Sequence, residues 1–187
     1  EGGIEIVVNE LATRMAVRGH QVTCYDRNTH HVAGDTPLDS RREVAGVRIV
    51  PVWTIEKKGL AAMTSSLSAA WKATWGKYDV VHIHAEGPAA MSWLPKIKHK
   101  RVIVTVHGLD WARAKWGGFA TKYIKWGEKQ AVKHADEIIV LSRGVQEYFR
   151  STYNRDTVFI PNGVSRPELR PADEIKKLWG LEKDSYV

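Results

Sequence analysis

An α/β fold, a doubly wound and mostly parallel sheet with helices on both faces, is predicted by three observations. Short apolar runs alternate with helical stretches along the 187 residues, which is the order of βαβ units. Four of these runs end in polar clusters: Val80–Ile83 into His84-Ala85-Glu86, Val102–Val106 into His107-Gly108-Leu109-Asp110, Ile138–Leu141 into Ser142-Arg143, and Val158–Pro161 into Asn162-Gly163. The run Val102–Val106 carries no charge, as expected of a strand buried on both faces. Ligands of open α/β sheets bind beyond the carboxyl ends of the strands, so one rim is marked as the place for chemistry.

The elements follow in order. Ile4, Val7, Val8, Leu11 and Met15 recur at helical spacing, and Gly19 ends that helix as a C-terminal cap. Gln21–Asp26 reads as a strand, followed by a long polar loop through Arg42 and a second strand, Val47–Val52. Gly59–Trp75 is an Ala- and Ser-rich helix with Leu60, Met63, Leu67, Trp71 and Trp75 on one side. Then come a strand at Asp79–His84, a short helix at Ala89–Ile97 interrupted by Pro95, and a strand at Arg101–His107. Helix Phe119–His134, strand Glu137–Leu141, helix Val145–Tyr153 and strand Thr157–Pro161 complete the alternation. Arg166–Pro171 reads as a linker, with a short helix Asp173–Trp179 beyond it. Gly2-Gly3 opens a helix with no strand in front. The chain therefore reads as an N-terminal domain, residues 1–164, followed at 165–187 by a linker and the start of a further domain.

Composition narrows the function classes. A hydrophobic share of 43% fits a globular protein, and no run approaches the roughly eighteen apolar residues of a membrane helix. The single cysteine, Cys24, excludes an internal disulfide framework, points to a reducing compartment such as the cytoplasm, and reads as a buried thiol. A net charge of +7 attracts phosphate-bearing partners. Eight tryptophans accompany it, as core filling or as a surface for lipid or bases. Aromatic and basic residues do not interleave on strands as a base-stacking sheet requires, so nucleic acid is not an expected partner.

Each motif carries a functional and a structural reading. Backbone amides at Gly2 and Gly3, at the positive end of a helix, suit a phosphate, although a plain tight turn has the same sequence. His82 and His84 face one side of their strand and with Glu86 resemble metal ligands, but three or four converging donors are needed and no metal is expected. His84, nearer the strand end, is the rim residue; His82 reads as a hydrogen-bonded core histidine. A neutral His107 can donate a hydrogen bond to a ligand hydroxyl. Gly108 permits an unusual backbone angle, and Asp110 either orients a hydroxyl or caps the next helix. Trp111 offers a face for a sugar ring, and Arg113, Lys115 and Trp116 extend a basic, aromatic rim. Ser142 reads as the N-cap of the following helix, and Arg143 beside it hints at a nearby anion. The basic run Lys96–Arg101 reads as a solvated loop.

Together these segments resemble the retaining family 4 glycosyltransferases of the GT-B fold. The matching pieces are Gly2-Gly3-Ile4-Glu5, Arg18–Thr23, Tyr78–His84, Val104–Trp111 and Ile160–Val164, and the His107–Trp116 stretch is most similar to the rhamnosyltransferase-like subgroup. The resemblance implies an acceptor-side Rossmann-like domain, with the nucleotide-diphosphate sugar held mainly by a second domain. It places Gly2 and Gly3 on the donor diphosphate and His107 and Asp110 at the reacting centre. His84, Glu86, Trp111, Arg113, Ser142 and Arg143 would line the acceptor or sugar pocket. It implies transfer to a glycan or lipid-linked acceptor with retention of configuration and without a cofactor. The paired-glutamate motif of the family belongs to the second domain, so this chain alone is expected to be inactive. The Trp71/Trp75 helix, with Lys72 and Lys77, is expected to rest on an anionic membrane surface. A non-catalytic nucleotide- or glycan-binding module and a GT-B nucleotide-sugar epimerase are the alternative readings.

Overall fold

The structure, a computed structural model, describes residues 3–27, 42–57, 60–112, 118–164, 173–182 and 185. Two hydrogen-bonded sheets organise it. In the larger one the strands lie side by side in sequence order, β4 (Val80–His84), β5 (Arg101–Val106), β6 (Glu137–Val140) and β7 (Val158–Phe159), all parallel. These are the four runs with polar ends, so their tips share one rim. In the smaller sheet β3 (Val47–Val52) lies between β1 (Val22–Arg27), which runs parallel to it, and β2 (Arg42–Val44), which runs antiparallel.

The core forms where the sequence is most continuously apolar. Val102, Val104 and Val106 are fully buried and pack with Ala131, Ile138, Val140 and Phe149. Burial of each Val, Ile or Phe contributes about 1.5–3 kcal/mol. Helix α1 (Gly3–Val17) packs on β1 and β3 and ends where Gly19 takes φ +89°. Helix α2 (Leu60–Trp75) lies against two single-turn helices, α3 (Glu86–Ala89) and α4 (Trp93–Lys96). Beside α3 runs α5 (Gly118–His134), and α6 (Arg143–Tyr153) covers β6 and β7. Helix α7 (Asp173–Trp179) falls where the sequence reading placed it.

Three elements depart from the sequence reading. Arg42, expected as the end of the loop, instead opens a strand, Arg42–Val44, because Ala45 and Gly46 at φ +50° and +76° close a two-residue hairpin onto Val47. The single helix expected at Ala89–Ile97 is two separate turns, and Pro95 sits in the first turn of α4, where its missing N–H costs nothing. Among the described residues the expected single sheet is two, with β1 and β4 each paired on one edge. Tyr25 and Tyr78 link the two sheets through their hydroxyls, 3.0 Å apart. A cavity of about 550 Å³ opens there, lined by Tyr25, Arg48, Val50, Trp71, Trp75 and Tyr78. The polar loop after β1 and the linker at 165–171 lie outside the described residues.

Candidate active site

The rim of the larger sheet is built by β4 and β5 as they end. Parallel register pairs His84 with Thr105, and side chains two apart share a face. Three imidazoles and a hydroxyl therefore stack on one side. Thr105 Oγ1 lies 2.7 Å from His82 Nε2, the His82 and His84 rings are 4.2 Å apart, and His84 Nδ1 is 3.1 Å from His107 Nε2. Burial holds His82 down to about 4 and His84 to about 3; neighbouring imidazoles add to the effect. His107 is lowered as well, chiefly by burial, against an opposing pull from Asp110. All three are neutral near pH 7. The His84–His107 bond then needs one protonated and one bare nitrogen, and because it joins Nδ1 of one ring to Nε2 of the other it sets the same tautomer in both rings. His107 therefore presents a fixed donor or acceptor at the rim.

Backbone geometry at the tips is unusual in two places. Ala85 takes φ +75° just after His84, held by a bond from its N–H to the Thr105 carbonyl (2.9 Å). Gly108 takes φ +153°, a region open essentially to glycine alone, as its position after the strand suggested. The chain then enters a 3-10 turn, Asp110–Ala112. Two buried carboxyl groups secure that turn. Glu86 Oε2 accepts the Asp110 N–H at 2.9 Å, and Glu128 Oε2 accepts the Trp111 indole N–H at 3.0 Å. Glu128 Oε1 also accepts the hydroxyls of Tyr148, at 2.9 Å, and Tyr153. Glu86 is 1% exposed and Glu128 is fully buried. Lys125 Nζ stands 4.2 Å from the Trp111 ring centroid, and Tyr148 packs beside the same ring.

The structure thus sets two bonded groups side by side on the rim: His84 with His107, and Glu86 and Glu128 with the Asp110–Trp111 turn. Glu86, expected to face a sugar, turns inward and holds the turn that carries Asp110. Ser142 and Arg143 stand at the tip of the neighbouring strand, both exposed. Ser142 is the N-cap of α6, its Oγ accepting the Val145 N–H at 3.3 Å. Arg143 donates to Gln146 Oε1 at 2.8 Å and lies over the Phe159 ring. Gly3 opens α1, with nothing within 4 Å of where a Cβ would stand. Gly2, Arg113, Lys115 and Trp116 lie outside the described residues. Among the described residues no group of three or more His, Cys, Asp or Glu converges as metal ligands. Cys24 is half-buried, and burial raises its thiol above the ordinary range, which suits an inert side chain.

The sequence reading missed Thr105, Glu128, Tyr148 and Tyr153. Glu128 had a usable signal. The buried positions of α5 are Ile124, Gly127, Glu128 and Ala131, so a carboxylate occupies the apolar stripe of a helix. A charge there needs buried partners.

A four-stranded parallel sheet flanked by helices, with polar strand tips gathered on one rim, defines a Rossmann-like domain of the kind that forms the N-terminal part of GT-B glycosyltransferases. The sequence model of Glycosyltransferase Family 4 matches residues 1–166, and the chain belongs to that family. It is 30% identical to the D-inositol 3-phosphate glycosyltransferase of Actinosynnema mirum, over all of this chain and 48% of that protein. It is 27% identical to the enzyme of the same name from Stackebrandtia nassauensis, over all of this chain and 46% of that one. The chain thus spans about half the length of these relatives. Sucrose-phosphate synthase from Thermosynechococcus elongatus shares the fold, with a TM-score of 0.72 over 98% of this chain and 48% of its own, at 20% identity.

Proposed function

We propose that this chain is the acceptor-side domain of an enzyme that moves a sugar from a nucleotide-diphosphate donor to a glycan or lipid-linked acceptor, with retention of configuration. The observation that carries the proposal is the bonded His84–His107 pair beside the anchored Asp110–Trp111 turn, at the strand ends of a family 4 domain. In this reading a neutral His107 bonds a hydroxyl of the transferred sugar, and Trp111 and Arg113 shape the pocket around it. Asp110 orients the acceptor, and His84 fixes the His107 ring. Glu86 contributes through the turn it holds, while Ser142 and Arg143 border the pocket from the next strand. The amides of Gly2 and Gly3 meet the diphosphate when a second, nucleotide-holding domain closes.

The bond from the anomeric carbon to the diphosphate oxygen breaks with its electrons on the diphosphate. The acceptor oxygen bonds to that carbon from the same side, and its proton passes to the departing phosphate oxygen. Donors placed where that negative charge grows lower the barrier. No cofactor enters this scheme, and the chain alone turns nothing over. The names of the relatives support adding a phosphorylated polyol to the candidate acceptors, and the +7 charge suits one.

A panel of nucleotide sugars offered to the natural protein that carries this domain, with glycan, lipid-linked and inositol phosphate acceptors, tests the proposal. Transfer with the donor's anomeric configuration kept is expected; hydrolysis or epimerisation alone, or an inverted product, contradicts it. An anionic lipid surface is the second proposed partner. Trp71 and Trp75 are 56% and 57% exposed, and Lys98 Nζ lies 4.4 Å from the Trp75 ring centroid. Co-sedimentation with anionic vesicles is expected to fall when Lys72 and Lys77 are reversed to Glu, and unchanged binding contradicts that part. Among the described residues no helix is long and apolar enough to cross a membrane.

A further inference from the structure

Glu86 and Glu128 are buried together at the junction of α3, α5, α6 and the 3-10 turn, and their donor sets differ. Glu128 accepts from Trp111, Tyr148 and Tyr153, three donors that favour its anion. Glu86 accepts the Asp110 N–H on Oε2, while its Oε1 is buried and meets no donor. Glu128 lies within hydrogen-bonding range of the Glu86 carboxyl. A proton on Glu86 Oε1, donated to Glu128, gives every buried oxygen of the pair a partner, and two adjacent buried anions are avoided. The helices leave no room to separate the pair: a Cβ on Gly127 would stand 2.0 Å from the Glu86 carbonyl oxygen.

We infer that Glu86 and Glu128 share one proton, and that this acid pair is the clamp that positions the Asp110–Trp111 turn beside His107. Glu86 and Glu128 are thus positioning residues for the proposed transfer reaction. The groups facing the pair are Asp110 from the turn and Tyr148 and Tyr153 from α6, while Lys125 of α5 stands over the Trp111 ring. Burial first, then Glu128, lifts Glu86 to about 9. Tyr148 is raised to about 12 and Tyr153 further, so the Glu86 proton is the first to leave as pH rises. Its loss places two like charges in the junction and loosens the hold on the turn.

The clamp is read on the full chain itself, by the indole N–H resonance of Trp111 in 15N-labelled protein, assigned by its loss in Trp111→Phe. From about pH 6 to about pH 10 this resonance is expected to titrate once, with a midpoint several units above an ordinary carboxyl. Glu86→Gln keeps a donor toward Glu128 and an acceptor for Asp110. Its Trp111 resonance is expected to match the parent near pH 7 and to stay flat on going alkaline. Glu86→Ala is expected to move the resonance at every pH. A flat parent profile, a midpoint in the ordinary carboxyl range, or Glu86→Gln shifting the resonance as far as Glu86→Ala overturns the shared proton, even if Glu86→Ala does not fold. The positioning role rests on the sugar-transfer reading. In the natural protein kcat is expected to fall as pH rises through the Glu86 titration and Glu86→Gln is expected to flatten that limb; an alkaline limb of unaltered shape in the variant contradicts the role. Because the NMR titration needs no substrate, failure of the clamp and failure of the sugar-transfer reading are told apart.

Discussion

His82 and His84 are the residues whose protonation most directly disturbs the rim. Both are held neutral by burial, at about 4 and about 3, below the ordinary imidazole value. An unfolded chain takes up these protons below about pH 6.5, and the folded chain does so only well below that. Their contribution to stability is therefore full above about pH 6.5 and is lost as pH falls toward 4, at roughly 1.4 kcal/mol per pH unit for each imidazole. Glu86 acts in the opposite sense. Its folded value is raised to about 9, so its contribution is full in acid and is lost as pH rises from about 4.5 through 9. The imidazoles outweigh one carboxyl on the acid side, and above neutrality the carboxyl acts first, joined in stronger alkali by the buried Cys24 thiol and tyrosines. Urea unfolding across pH is expected to show greatest stability near pH 6.5, with the acid limb shallower in His82→Gln. An acid limb of equal slope in that variant contradicts the assignment to His82.

At the scale of elements the junction of α3 and α5 is the tightest contact in the site. Gly127 lets the two helices approach until Cβ space vanishes: the Glu86 carbonyl oxygen would be 2.0 Å and the Ala90 nitrogen 3.2 Å from an added methyl. Alanine gains up to about 1 kcal/mol of helix propensity at such a position. Overpacking against backbone costs more, about 3 kcal/mol, and the net loss of about 2 kcal/mol lowers the melting temperature of a chain this size by roughly 6 °C. Calorimetry of Gly127→Ala is expected to show that fall, and a melting temperature at or above that of the parent contradicts the packing argument. The element pattern explains what could be read in advance. Strands β4 to β6 are apolar runs bounded by polar tips, so their existence and order were legible, and His84 and His107 with them. The α3–α4 segment was not, because two single turns are too short to show a period and the positive φ that turns the chain from β4 into α3 falls on an ordinary residue, Ala85. The hairpin at Ala45-Gly46 escaped for a similar reason, since β2 has only three residues.

For the whole molecule, the family assignment and the parallel four-stranded sheet agree with the sequence reading, and the site is more deeply wired than that reading foresaw. Glu86 was visible as a strand-end carboxylate; its partners were not. Asp110 and Glu128 lie 24 and 42 positions further along the chain, and Tyr153, which bonds Glu128, lies 67 beyond Glu86; only folding shows that they meet. What a sequence displays is periodicity and local chemistry, and a network drawn from a turn and three helices has neither. The clamp also gives the rim its order: β4 and β5 fix the imidazoles, and the acid pair fixes the turn that follows them.

The central claim is that His107, at the tip of β5, meets the sugar being transferred. Steady-state kinetics of His107→Ala in the natural protein that carries this domain, with its best donor and acceptor, tests it most directly. Loss of one preorganised donor at the reacting centre is expected to lower kcat about a hundredfold or more, with the fold preserved by circular dichroism. A variant that transfers sugar at the parental rate contradicts the account.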